Sequence, residues 1–186
     1  MALKGLGAGA ISVRVQAWTD QVRAQGFEAL WHRLSDEERE EFVRFASRFD
    51  EILALEAEKR WQAAVDAYQG LAESFPPYSD VAIERAGYLV NEKINRAIRY
   101  YNNGVRALEA KMYNKAMQYF DLALGIDPYM ERALYNLGMA HKLNYLANPE
   151  ANHLSKVSAI EAFKKLLKIN PGHLRAAAQV EQMSRL

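Results

Sequence analysis

Apolar residues along the chain recur at helical spacing. Between Ser79 and Ala110 most of them follow one another at intervals of three or four positions: Ala82, Ala86, Leu89, Ile94, Ala97 and Tyr101. This spacing places them on one face of a helix. The sequence has no alternating run of β-branched residues that would favour a strand, and the five prolines fall where they would end helices. The pattern predicts an all-α fold, with one long helix from about Ser79 to Ala110.

Two stretches of sequence match each other at an offset of 34 residues, Tyr101-Asn102-Asn103-Gly104 and Tyr135-Asn136-Leu137-Gly138. Each is followed by a second helical stretch with an alanine, then an aromatic residue four positions later, then a proline. These residues are Ala116, Phe120 and Pro128 in one case, and Ala159, Phe163 and Pro171 in the other. The pattern of alanine, aromatic residue and proline occurs once more upstream, at Ala64, Tyr68 and Pro76, without the stretch that precedes it in the other two cases. It is introduced by Lys59-Arg60-Trp61, much as Ala116 is introduced by Lys111-Met112-Tyr113.

This pattern resembles the tetratricopeptide-repeat (TPR) family, whose unit pairs two antiparallel helices in about 34 residues. The resemblance implies an α-α superhelix, or TPR solenoid, of about three helix-turn-helix repeats at 45–78, 97–130 and 131–173. A capping helix at 174–186 would cover the apolar end of the stack. Glycine and alanine, as in Gly104 with Ala116 and Gly138 with Ala159, would let paired helices approach closely. The aromatic residue would fill the space between adjacent repeats.

The chain departs from the family pattern in three places, one of which is a stretch of about 18 extra residues, Ser79 to Arg96, between the first and second repeats. Ile52 occupies the glycine position of the first repeat, and about nine extra residues, near Asn144 to His153, separate the helices of the third. Asn148-Pro149 in that insertion is a turn signal.

The first 34 residues are interpreted as a partly helical N-terminal extension of the TPR-like domain at 35–186. The extension carries an apolar stripe at helical spacing, made of Ile11, Val15, Trp18 and Val22. Ser35 with Glu38 predicts a capping box at the start of the next helix. Residues 1–10 lack the apolar run of a secretory signal, whereas import into an organelle stays open because no acid precedes Asp20.

Charge and composition exclude several classes of protein. Lys and Arg number 24 against 23 Asp and Glu, so no overall field would attract nucleic acid or an anionic membrane. No apolar run approaches the ~20 residues that span a bilayer. The absence of cysteine excludes disulfides, thiolate metal sites and a cysteine nucleophile. We therefore expect no nucleic-acid partner and no membrane span. The absence of cysteine does not settle the compartment; a cytoplasmic location is expected, with import into an organelle as the open alternative.

No pattern of catalytic residues is found. The four histidines are scattered, and none has a second histidine or a carboxylate at the spacing of a known metal motif. His141 falls where the repeat pattern carries a large side chain, which favours a packing role. There is neither a phosphate-binding glycine loop nor a nucleophile elbow. We expect that the protein is not an enzyme and has no cofactor and no metal site.

In TPR proteins the first helices of successive repeats line a concave groove that receives a peptide or helix. The resemblance places the following residues in that groove: Ile98, Tyr101, Asn102, Val105, Arg132, Tyr135, Asn136, Met139 and Lys142. An asparagine amide offers a donor and an acceptor for a peptide backbone, and tyrosine offers rigid contact area with a polar tip. The tyrosines could instead pack between repeats, and both interpretations stay open. Val105 and Gln179 depart from the clamp that binds chaperone tails, so that subtype is not predicted.

The resemblance implies a scaffold or adaptor that binds another protein or peptide in this groove. The alternative is a structural module that self-assembles into a homo-oligomer through the N-terminal apolar helix or through head-to-tail charge complementarity. Residues 35–60 carry nine acids against five bases, whereas residues 141–186 carry seven bases against three acids. Such opposite charge could steer an acidic partner or join copies of the chain.

Overall fold

The computed structural model describes residues 31–186, and none of these residues is assigned to a β-strand or bridge. The predicted all-α class is therefore confirmed for these residues. The α-helices are α1 Asp36–Ala57, α2 Trp61–Ser74, α3 Ser79–Leu89, α4 Asn95–Glu109, α5 Tyr113–Ile126, α6 Glu131–Ala147, α7 His153–Ile169 and α8 Leu174–Arg185. A 3-10 turn at Pro76–Tyr78 precedes α3, and a π-helical turn at Val90–Ile94 precedes α4. The predicted N-terminal stripe from Ile11 to Val22 lies outside the described residues.

Helix α1 begins with the predicted capping box. The backbone N–H of Glu38 donates to the Ser35 hydroxyl at 3.2 Å, and the backbone N–H of Ser35 donates to the Glu38 carboxylate at 2.8 Å. Two orphan donors of the first turn are thereby satisfied. The hydrogen bond from the Ser35 backbone N–H, followed by one from the Ser35 side chain, lowers the pKa of the Glu38 carboxyl group below its ordinary value.

The chain divides into two compact units between Lys93 and Ile94. In the first unit, α1 packs on α2 and α2 packs on α3. Glu56 of α1 links all three helices: it accepts the Tyr68 hydroxyl of α2 at 2.7 Å and the Arg85 guanidinium of α3 at 2.9 and 2.5 Å. Burial, and then the neighbouring Glu56 carboxylate, raise the pKa of Tyr68. The first unit is thus held together by a hydrogen-bonded ion cluster as well as by its apolar core.

In the second unit, each helix from α4 to α8 packs on the next. The glycines of the repeat pattern face phenylalanine rings. A Cβ built on Gly104 would lie 2.6 Å from Cε1 of Phe120, and one built on Gly138 would lie 2.7 Å from Cε1 of Phe163. Separations this short leave no room for a side chain, so the ring of the second helix is what requires glycine on the first.

The sequence interpretation had paired these glycines with alanines and had placed the rings between repeats. Ala116 and Ala159 are fully buried, as a close helix pair needs. Phe120 also belongs to one buried cluster with Leu137 and Ala140 of α6. The ring therefore does both: it packs on the glycine of its own helix pair and fills the space toward the next pair.

The turns after α1 and α4 have the same backbone conformation. Lys59 and Lys111 each have φ of 58°, in the left-handed region. In each turn the lysine N–H donates to a carbonyl three residues back, and the next N–H donates to a carbonyl five residues back, all at 2.9 Å. This is the Schellman pattern of a helix C-terminus. The resemblance between Lys59-Arg60-Trp61 and Lys111-Met112-Tyr113 is therefore a resemblance of turn structure.

The helical residues run without a break from Ser79 to Glu109, close to the predicted extent of the long helix. The extra residues of the third helix pair do not form one long loop. Instead α6 continues through Ala147 and α7 starts at His153. The Asn152 amide donates to the Asn144 carbonyl at 2.9 Å, and the Asn144 amide donates to the Ser155 hydroxyl at 2.9 Å, which ties the two lengthened ends together.

Helix α8 is present at Leu174–Arg185, close to the range predicted for a capping helix. Its residues Ala176 and Met183 are fully buried in one cluster with Phe163 of α7. Among residues 31–186, none of the helices combines the length and the hydropathy that crossing a bilayer requires.

Candidate functional site

The predicted groove residues all lie on α4 and α6, within the second unit, and these two helices contact each other. Their exposure differs widely. Ile98, Asn102 and Arg132 are exposed, whereas Lys142 is buried. The others, which are Tyr101, Val105, Tyr135, Asn136 and Met139, are half-buried. Together with Arg175, Gln179 and Gln182 of α8, the predicted groove residues make up what we call the α4–α6–α8 face.

Tyr101, Asn136 and Arg132 form one contact group on this face. The Asn136 amide donates to the Tyr101 hydroxyl at 3.0 Å, and the Arg132 guanidinium lies 6.0 Å from the centroid of the Tyr101 ring. That ring in turn packs against Phe120, with centroids 5.9 Å apart. A hydroxyl that accepts a hydrogen bond still carries a proton to donate, and the Asn136 amide keeps a second N–H and its carbonyl oxygen.

Tyr135 is held by packing on two sides. Its ring centroid lies 5.6 Å from that of Phe163 and 5.5 Å from that of His173. His173 caps α8, because its Nδ1 accepts the backbone N–H of Ala176 at 3.1 Å. Tyr101 and Tyr135 therefore pack between helices and also belong to the α4–α6–α8 face.

Lys142 connects α6 to α8. Its ammonium group donates to Oε1 of Gln179 at 2.7 Å and to Oε1 of Gln182 at 2.6 Å, and the residue is only 8% exposed. The sequence reasoning named Gln179 only as a departure from the chaperone clamp and did not select Gln182. Their spacing of three residues, which puts both on one face of α8, was the available signal.

A second polar region lies in a cleft between α5, α6 and α7, with a cavity volume of about 350 Å³. Its polar lining consists of Asp121, His141, Ser158, Glu161 and Lys165. Nδ1 of His141 is buried, and no hydrogen-bond partner for it is found among the described residues. Burial lowers the pKa of His141, although Asp121 and Glu161 oppose the shift, and burial raises the pKa of Asp121.

The sequence reasoning expected a packing role for His141 and did not single out the polar residues around it. They come from three different helices, and helical spacing alone does not reveal such a meeting. In residues 31–186 no group of three or more histidine, aspartate and glutamate residues has an arrangement that could hold a metal ion.

No protein-family model matches the chain, and a search of curated proteins found no match either. The α4–α6–α8 face is therefore the basis of the functional proposal.

Proposed function

We propose that this protein is a TPR-type scaffold or adaptor, which holds a peptide or helix of another protein on the α4–α6–α8 face. The TPR interpretation is supported by the repeated pairing of a glycine with a phenylalanine, at Gly104 with Phe120 and at Gly138 with Phe163. It is also supported by the matching Schellman turns at Lys59 and Lys111.

The observation that carries the binding proposal is the mixture of fixed and exposed side chains on one face. Tyr101 and Asn136 are already joined by a hydrogen bond, so binding a partner need not immobilise them. Beside them, Ile98 is 38% exposed and offers apolar contact, while the exposed Asn102 offers both a donor and an acceptor. An extended or helical segment needs this combination of apolar area and backbone-directed hydrogen bonds.

The proposal is tested by selecting peptides from a random display library on the full chain and measuring their affinities by calorimetry. We expect that replacing Asn102 and Asn136 together by Ala weakens the selected peptides about tenfold or more, mainly through faster dissociation. Asn114→Ala is the matched control, because Asn114 is an exposed asparagine on α5, away from the face.

Circular dichroism of each variant checks that the helices are retained. Equal affinities for the wild-type chain and the double variant would remove the assignment of the face, and so would a library that yields no binding peptide. Equal weakening by Asn114→Ala would show that the loss does not come from the face.

A further inference from the structure

Lys142 brings a buried positive charge to the α4–α6–α8 face without a negative partner. An ammonium group has three N–H donors, and the side-chain oxygens of Gln179 and Gln182 take two of them. Both acceptors are neutral amides. The ion pairs found among residues 31–186 do not include Lys142. A desolvated cation without a counter-charge is costly, so a carboxylate at this position would be favoured.

Two exposed arginines extend the same charge along the face. Arg132 is the second residue of α6, and Arg175 is the second residue of α8. Arg175 precedes Gln179 by four residues, which puts them on one face of α8. Arg132 and Lys142 are ten residues apart on α6, about 15 Å along the helix axis and about 80° apart around it. Neither arginine belongs to the ion pairs within residues 31–186.

The acids closest in sequence to these cations on α6 and α8 have other partners. Glu181 forms an ion pair with Arg185, one turn further along α8. Glu131 accepts a hydrogen bond at 2.9 Å from the Asn170 amide, in the turn that follows α7. Among residues 31–186, Lys142, Arg132 and Arg175 thus have no ion-pair partner that a ligand carboxylate would have to displace.

We propose that the α4–α6–α8 face binds an acidic internal segment of a partner protein, with an aspartate or glutamate side chain meeting the Lys142 ammonium. This inference rests on the proposed function of the same face and adds the chemistry of the partner. Lys142 is only 8% exposed, so a carboxylate that reaches its ammonium has little water to displace. The arginines guide the acidic segment by long-range attraction.

The probes are two acetylated and amidated peptides of equal length, one of alternating glutamate and alanine and one of alternating serine and alanine. Their affinities for the full chain are measured by fluorescence anisotropy. We expect the glutamate peptide to bind at least about tenfold more tightly, and we expect high salt to reduce the difference. Lys142→Met, which keeps the length of the side chain, should remove most of that preference.

Arg132→Gln and Arg175→Gln provide independent tests, because both side chains are exposed and their loss should leave the fold intact. Each should weaken the glutamate peptide by a few fold. Lys164→Met is the matched control, since it removes one exposed positive charge from α7 without touching the face.

Each outcome decides the proposal. Preferential binding of the glutamate peptide, lost in Lys142→Met and kept in Lys164→Met, supports it. Equal binding of both probes, while library-selected peptides still depend on Asn102 and Asn136, overturns the acidic partner but leaves the binding face in place. Preference that survives Lys142→Met also overturns it. If no peptide of any kind binds, both proposals fail.

Discussion

At the scale of single residues, Gly104 and Gly138 lie directly against phenylalanine rings in the second unit. Phe120 and Phe163 are completely buried, so neither ring can move out to solvent to make room for an added methyl group. The glycine positions are consequently a requirement of packing and not of backbone conformation.

We predict that Gly104→Ala lowers the free energy of unfolding by about 1–3 kcal/mol, because its Cβ would lie 2.6 Å from Cε1 of Phe120. Gly125→Ala is the control on α5, since a Cβ built there meets no heavy atom within 4 Å. Better helix propensity should make that control neutral or more stable by up to about 1 kcal/mol. Urea unfolding of both variants measures the difference, and similar changes in both would contradict the packing argument.

His141 makes stability depend on pH in a defined direction. Burial lowers its pKa below the ordinary 6.5, so the unfolded chain binds a proton there more readily than the folded chain does. The contribution of His141 to stability is therefore fully present above pH 6.5 and declines as the pH falls below that value. Asp121 and Glu161, which face it from α5 and α7, reduce the effect without reversing it.

We predict that the free energy of unfolding falls between about pH 6.5 and 5, and that His141→Phe removes part of this decline. Phenylalanine occupies a similar volume and cannot take up a proton. His153→Gln is the control, because His153 is an exposed histidine at the start of α7. Urea titrations at several pH values test the prediction. A slope that is unchanged in His141→Phe would assign the decline to other groups.

At the scale of helices and turns, the turn that follows α1 and the turn that follows α4 each contain one strained lysine. Lys59 and Lys111 both adopt positive φ, where the Cβ of an L-residue approaches the backbone too closely. Glycine is the usual residue at this position of a Schellman motif because it avoids that contact. Replacing the lysine by glycine should therefore relieve backbone strain in either turn.

We predict that Lys111→Gly raises the free energy of unfolding by about 1 kcal/mol through relief of this strain. The opposite sign is expected for Lys115→Gly, an exposed position inside α5, which should lose about 1 kcal/mol. Thermal and urea unfolding of the two variants provide the comparison. A loss of stability in Lys111→Gly would contradict the role assigned to the turn.

The ends of helices were predictable where a particular residue type is physically required at a particular position. The capping box at Ser35 and Glu38 marked the start of α1, and proline marked the end of several helices. The π-helical turn at Val90–Ile94 was not predicted, although a signal exists. The apolar positions Leu89 and Ile94 are five residues apart, which is the interval that a π turn accommodates.

Contacts between different helices were harder to predict than the helices themselves. Helical periodicity assigns a residue to a face, but it does not say which side chain of another helix lies opposite. Gln182 meets Lys142 from 40 residues away along the chain, and Asn136 meets Tyr101 from 35 residues away. The α4–α6–α8 face, for which we propose a binding role, was therefore predicted as a set of positions, and its internal hydrogen bonds became visible only in the structure.

At the scale of the whole molecule, the proposed binding face is built from residues of one chain. All its residues come from α4, α6 and α8, which belong to the unit beginning at Ile94. A second copy of the chain is not needed to build it. The adaptor and self-assembly hypotheses can therefore be separated by the mass of the protein in solution.

We predict that the full chain sediments as a single copy, and that a shortened chain beginning at Gly26 does the same. The shortened chain lacks the apolar stripe of Ile11, Val15, Trp18 and Val22 but retains Trp31, whose ring contacts Phe42 at a centroid distance of 6.2 Å. A larger mass that drops to one copy on shortening would favour assembly through the stripe. A larger mass that survives shortening but falls with added salt would favour head-to-tail assembly, since only attraction between oppositely charged surfaces is screened in this way.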